Sequence, residues 1–431
     1  MMKLAVIFES SPFDRKGLFN AVHNRVKHLL ATGECAIDVF CVHSRDNAFT
    51  RRVRHTPEVP SVDETVVDGI RYRLLWYRFS ILDNVLLEKL HVRPWLFRRF
   101  MASHVDLLKG YDAVIAHSFC GGLFALAAHE RFGVPYYVTW HGSDVHTHPW
   151  RVPVILEDTR AVMESARCNF FVSRALLDAS ERIVSANDVL PVSSGDTGGA
   201  QAHRRVTSGV SPVRKEVLYN GVSEDFVKYS PEDRATVRER YGLAPEDKVV
   251  AFVGNIVTVK NVLSLPEIFA QVAEGYDGPL KFWIVGDGKL KAQLETACSE
   301  SLVRHCEERT PSRHCEERSD VAIRFFGNQP SPVMPDIMNC IDVLVLPSLN
   351  EGLPLVCAEA LACGAAVVGS DVGGIAEVIG SDNVVPLGDS FVTGMAEKIV
   401  TFLNAKTPSQ TLPDEVSWSR TAKRELSFLK S

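Results

Sequence analysis

Apolar residues along this chain fall into two alternating patterns. Short continuous runs at 3–8, 37–42, 113–116, 136–139 and 169–172 have the length and content of strands buried on both faces. Between several of them lie stretches with helical spacing, such as Leu18, Val22, Val26 and Leu29 or Leu30 in the segment 17–30. The alternation starts afresh after Lys215, with runs at 249–253, 281–285, 323–326, 343–346 and 366–369, each leading into a loop and a helical pattern. Repeated strand-loop-helix units predict an α/β fold: two Rossmann-like domains, each a doubly wound parallel sheet, facing each other across a cleft. The expected division is 1–190 for an N-terminal domain and 215–400 for a C-terminal one. Residues 191–214, rich in Ser, Gly, Thr and Pro, form the linker or insertion, and 401–431 a helical tail.

The length of 431 residues, with 46% hydrophobic and 23% charged, supports two cores and excludes a disordered chain or a disulfide-stapled miniature. A net charge of -6 argues against a nucleic-acid partner. That average splits into +3 for residues 1–150 and -9 for the rest. A positive first half suits an anionic surface, and equally a scatter of solvated charge. The ten cysteines form no Cys-x-x-Cys pair, and no apolar run reaches the roughly 20 residues of a membrane span. The expectation is a cytoplasmic protein with reduced, buried thiols.

Arg304-His305-Cys306-Glu307-Glu308-Arg309 recurs as Arg313-His314-Cys315-Glu316-Glu317-Arg318. Paired His-Cys steps suggest metal, but a nine-residue period is not zinc-ligand spacing and no apolar residues fix a shell. The stretch 303–320 instead reads as a tolerated loop insertion, similar to translated palindromic repeat elements.

The densest chemistry lies at 347–360, where Glu351 and Glu359 flank a strand-loop-helix junction. Pro354 suits the first helical turn, and the backbone N–H groups of Gly352, Leu353, Leu355 and Val356 are left for an anion such as a diphosphate. A hydrolytic carboxylate pair fits the spacing less well than two carboxylates that meet different hydroxylated parts of one ligand. Eight helical residues rise about 12 Å, against the roughly 5–9.5 Å of glycosidase pairs.

This Glu-x7-Glu segment resembles the donor domain of retaining GT-B glycosyltransferases of group 1 (family 4). So do Leu218-Tyr219-Asn220-Gly221-Val222, Ala251–Gly254 leading to Lys260, Val285-Gly286-Asp287-Gly288, Phe326-Gly327-Asn328, Asp342–Ser348 and Ser370–Glu377. The resemblance covers 216–385. It implies that Glu351 meets the donor sugar, Glu359 the ribose, Lys260 the diphosphate, and the backbone near Asn328 the base. Asn255 departs from the family, which has Arg directly after this glycine, and removes a guanidinium from the phosphate clamp. Tyr137–Asp144 resembles the family's His-Gly segment and implies that His141 reaches the donor sugar. Gly17 stands where the family's glycine-rich first loop approaches the phosphate.

No Asp-x-Asp occurs, so no metal-held diphosphate is expected and no cofactor beyond the sugar nucleotide itself. Arg93-Pro94-Trp95-Leu96-Phe97-Arg98-Arg99-Phe100, with Arg51, Arg52 and Arg54, would hold a phosphorylated lipid acceptor or touch an anionic membrane, or else pack its aromatics inward. The expected activity is transfer of a sugar from a nucleoside diphosphate to a lipid-linked or polysaccharide acceptor, with retention. The alternatives are a non-catalytic sugar-nucleotide or glycan binder and, more distantly, a nicotinamide oxidoreductase. The latter lacks a Gly-x-Gly-x-x-Gly after a strand.

Overall fold

The computed structural model describes residues 1–13, 17–44, 60, 62–78, 81–185, 213–307, 323–405 and 410–431. The chain divides into two compact units. The first comprises Met1–Leu218 and Ala422–Ser431, and the second Tyr219–Thr421.

The first unit is built on an eight-stranded sheet of order β3-β4-β2-β1-β5-β6-β7-β8. Its strands are β1 (Met2–Glu9), β2 (Cys35–Ser44), β3 (Glu64–Val67), β4 (Ile70–Tyr77), β5 (Ala113–His117), β6 (Tyr136–Trp140), β7 (Cys168–Phe171) and β8 (Lys215–Val217). All neighbours run parallel except β3 and β4, a hairpin closed by Asp68-Gly69, both at positive φ. Leu4, Val6 and Phe8 face one side of β1, and together with Phe19, Val22, Val26 and Leu29 of helix Gly17–Ala31 they form a core. Ala5 and Ile7 are equally buried on the other side. There helix Ser118–Phe132 presses so close that a Cβ on Gly121 would lie 2.4 Å from the Ile7 carbonyl oxygen.

The C-terminal helix Trp418–Lys430 returns to this unit, and Ala422, Leu426 and Leu429 join the same core at i, i+4 and i+7 spacing. Within that layer Arg25 Nε donates to Glu425 Oε2 at 2.6 Å with both side chains fully buried. Nη1 and Nη2 of Arg25 and Oε1 of Glu425 have no hydrogen-bond partner among the described residues. Desolvating such a pair offsets most of its attraction, so the apolar contacts hold this helix, and the ion pair fixes its register.

The second unit carries a six-stranded, wholly parallel sheet of order β11-β10-β9-β12-β13-β14. Its strands are β9 (Lys248–Val253), β10 (Leu280–Val285), β11 (Ile323–Gly327), β12 (Val343–Leu346), β13 (Ala366–Ser370) and β14 (Val384–Val385). Numbered within the unit this is the 3-2-1-4-5-6 order of a doubly wound sheet, whose direction of winding reverses between β9 and β12. Val249–Phe252, Phe282–Ile284 and Val343–Leu346 are fully or almost fully buried, as strands covered on both faces must be.

Arg51, Arg52 and Arg54, nearly all of 191–214 and residues 308–320 of the repeat segment lie outside the described residues. Helix Lys291–Glu307 takes in the start of that repeat. Eight cysteines are free and buried, and no metal-holding cluster of His, Cys, Asp or Glu occurs among the described residues. Nor is any described helix long and apolar enough to cross a membrane.

Candidate functional site

In open parallel sheets, ligands sit beyond the carboxyl ends of the strands where the winding reverses. In the second unit that point lies between the loop after β9, which carries Asn255 and Lys260, and the loop after β12, which carries Ser348 and Glu351. The two loops are tied by Leu349 N–H donating to the Val259 carbonyl at 2.8 Å. Across them Lys260 Nζ forms a short ion pair with Glu351 Oε1, and Ser348 Oγ donates to the same oxygen at 2.7 Å. Only 20% and 12% of these two charged side chains is exposed, so the pair is screened from water yet reachable.

The backbone around Glu351 is held from behind. Gly373, at φ +54, leaves a Cβ position only 1.9 Å from the Glu351 carbonyl oxygen, so no other residue fits. Gly374 N–H donates to Gly352 O at 3.0 Å, and Ser370 Oγ to the Ser348 carbonyl. Gly286 and Gly288 play a similar part beside β9, where Cβ atoms would strike the carbonyls of Gly254 and Ile256.

Helix Leu355–Ala362 starts beside Glu351 with no side chain capping its end. Pro354 is its N-cap rather than a residue of the first turn, because its ψ of 98° is extended. The unsatisfied amides of such an end, including those of Leu355 and Val356, favour an anion. Gly352 is partly exposed in the approach, whereas Leu353 buries its side chain and contributes only backbone. Glu359 lies one turn further in, with no hydrogen bond or ion pair to its carboxylate among the described residues. Burial pushes its pKa up to about 7. Cys357 and Cys363, also raised by burial, stay protonated beside it. Asn255 and Asn328 are exposed at the carboxyl ends of β9 and β11.

In the first unit the reversal falls between β1 and β5. His117 ends β5 and His141 follows β6, and the Nδ1 of the first lies 3.0 Å from the Nε2 of the second, so one N–H serves both. Burial first, and then the Arg25 charge, hold His141 down at about 3 and His117 well below its usual value. Both rings are therefore neutral at pH 7 and hydrogen-bond without carrying charge. Asp144 turns the chain after His141 by accepting from His141 N–H at 3.2 Å and Gly142 N–H at 2.8 Å. Gly17 is exposed at the start of its helix, with open space around a Cβ, so no contact among the described residues requires glycine there.

The structure thus gathers Lys260, Glu351 and the amide end of helix Leu355–Ala362 into one place, with Asn255 on the same loop as Lys260. It sets His141 in the other unit. Ser348, Gly373 and Asp144 lie within segments whose resemblance assigns them no individual role, and His117 lies outside all of those segments. The Gly-Gly pair and the Asp three residues after His141 were the available signals.

Residues 247–405 match the family described as Glycosyl transferases group 1, and residues 17–195 the Glycosyl transferase 4-like domain. A Bacillus subtilis protein provisionally named a teichuronic acid biosynthesis glycosyltransferase is 26% identical over 68% of this chain and 61% of its own length. A D-inositol 3-phosphate glycosyltransferase of Kribbella flavida is 28% identical over 62% of this chain and 57% of its own. The chain spans less than two thirds of these relatives. Sucrose-phosphate synthase from Thermosynechococcus elongatus superposes with a TM-score of 0.63 at 18% identity, covering 100% of this chain and 94% of that one. HepE of Anabaena, solved with UDP and glucose, gives 0.61 at 16% identity over 100% and 98%. Taken with the two doubly wound sheets, these matches place the chain in the group 1 (GT4-like) glycosyltransferases, with GT-B architecture.

Proposed function

We propose that the protein transfers a sugar from a nucleoside diphosphate to a hydroxyl of a lipid-linked or polysaccharide acceptor, with retention at the anomeric carbon. The observation that carries this reading is the Lys260–Glu351 pair beside the uncapped end of helix Leu355–Ala362. An ammonium and free amides suit a departing diphosphate, and a carboxylate suits the hydroxyls and growing positive charge of the sugar. Glu359 suits a ribose, and the neutral His141 imidazole a sugar hydroxyl. UDP is the favoured nucleotide, because HepE is a structural neighbour solved with UDP and glucose. The relative named for teichuronic acid biosynthesis favours a cell-envelope glycan as acceptor.

A panel of sugar nucleotides screened for thermal stabilisation identifies the donor, since a ligand at 100 times its Kd adds about 2.7 kcal/mol. Release of nucleoside diphosphate from that donor then reports turnover. Glu351→Ala is expected to abolish release while leaving the melting curve intact, and full activity in that variant contradicts the site.

The exposed Asn255, where the family carries Arg, favours a second reading as a non-catalytic sugar-nucleotide binder. Calorimetric binding of a donor without any release of nucleotide is the outcome that selects it.

A further inference from the structure

Helix Trp95–His104 is aromatic on both of its sides. Inward, Phe97 and Phe100 meet Tyr77 with ring centroids 5.2 and 5.5 Å away, and Phe124 at 6.4 and 5.8 Å. Outward, Trp95 is 62% and Leu96 44% exposed, and no residue of the helix is fully buried. The preceding stretch continues this surface, with Val85, Leu90 and Val92 exposed by 43, 62 and 50%. Single exposed apolar residues are ordinary, but a cluster within one short segment marks a surface that meets something.

The charges decide what that is. Arg93 is already held, its Nε donating to both oxygens of Asp158 at 3.0 and 3.1 Å and its Nη2 to Glu157 at 3.2 Å. Lys89, Arg98 and Arg99 are exposed among the apolar residues, against Glu88 and the one carboxylate of the Glu157–Asp158 pair that Arg93 does not balance, and the Arg99 guanidinium lies 5.4 Å from the Trp95 ring centroid. Indole and leucine at headgroup depth, ringed by cations, fit a bilayer interface carrying negative charge.

We propose that the 85–99 surface docks the protein on an anionic bilayer. Leu90, Val92, Trp95 and Leu96 enter the interface, and Lys89, Arg98 and Arg99 meet lipid phosphates. The inward side gives this docking a use. Tyr77 OH donates to Glu9 Oε1 at 2.6 Å, and Glu9 closes β1 at the carboxyl end, beside the reversal of the sheet. A lipid-anchored acceptor held in the bilayer thus arrives next to the strand ends where ligands bind. That use rests on the lipid-linked reading of the acceptor, whereas the docking stands on the surface residues alone.

Sedimentation of the full chain with vesicles tests it, using phosphatidylcholine alone and phosphatidylcholine with phosphatidylglycerol as about a third of the lipid. The expected result is binding to the anionic vesicles only, weakened by salt and accompanied by a blue shift of tryptophan emission. Arg98→Gln and Arg99→Gln should each weaken binding about fivefold. Trp95→Ser with Leu96→Ser should weaken it at least tenfold, while Trp95→Phe keeps binding and loses most of the blue shift. Each variant should keep the wild-type stabilisation by the sugar nucleotide, which separates failure of docking from failure of the donor site. Absence of binding to anionic vesicles, equal binding to both vesicle types, or wild-type binding by the Ser double variant overturns the proposal.

Discussion

Replacing Glu359 by Gln should make the protein more stable and weaken binding at the proposed donor site. Burial holds this carboxyl near pH 7 instead of the ordinary 4.5, a difference worth about 3 kcal/mol at most and about 2 after allowing for partial exposure. Below pH of about 4.5 the folded and unfolded chains are both protonated here, and the group contributes no pH dependence. As pH rises toward 7 the unfolded chain releases its proton and the folded one keeps it. Wild-type stability therefore falls across that window, and above it the full cost of a buried carboxylate is present. Glu359→Gln has no such window. Its advantage should grow from near zero at pH 4.5 to about 2 kcal/mol at pH 8, or roughly 4–8 °C in the melting of a unit of this size. Binding should show the reverse. If ribose hydroxyls donate to the ionised carboxylate, wild-type affinity for UDP-glucose falls about tenfold from pH 8 to pH 6, and the variant is weaker and flat with pH. Thermal scans and calorimetry at three pH values measure both. Parallel melting-against-pH curves, or a wild-type affinity indifferent to pH, refute the reasoning.

Two further substitutions address the backbone and the clamp. Gly373→Ala puts a methyl where only 1.9 Å separates it from the Glu351 carbonyl, so the Glu351 loop must move, and turnover should drop by about two orders of magnitude. Steady-state kinetics check it, and an unchanged kcat counts against the role of that loop. Asn255→Arg supplies a guanidinium beside the proposed phosphate position and should tighten UDP binding about tenfold. Calorimetry that finds equal affinity places the phosphates elsewhere.

The strands that buried both faces were readable from apolar runs alone, and 343–346 matches its observed limits to the residue. Strands β8 and β14 were not, because three and two residues carry no periodicity. The β3-β4 hairpin was missed although Asp68-Gly69 is a strong turn signal, since charged residues alternate through β4 and break its apolar run. Of the expected helical tail 401–431, helix Trp418–Lys430 forms the last part, after the end of helix Phe391–Asn404 and a non-helical stretch, and its attachment to the first unit has no signal in the sequence. Arg25 and Glu425 meet across 400 positions of sequence, a distance at which local pattern says nothing. The same limit separates the site's two kinds of residue. Glu351, Glu359 and Lys260 stand in ordered motifs, and Ser348 reaches Glu351 from three residues away, whereas the support from Gly373 exists only once β12 and β13 lie side by side. The pattern of 93–100 allows its aromatics to pack inward or to face outward, and the helix divides them: Phe97 and Phe100 turn in, whereas Trp95 and Leu96 are exposed.

The central claim is that a nucleoside diphosphate sits against Lys260 and the amide end of helix Leu355–Ala362. Phosphorus NMR of UDP titrated with the intact protein observes that contact directly. Both phosphorus resonances should shift on saturation, and Lys260→Ala should weaken the binding by roughly 10- to 100-fold, the worth of one charge-assisted hydrogen bond. Resonances that stay in place, or a Lys260→Ala protein that binds UDP as the wild type does, would contradict it.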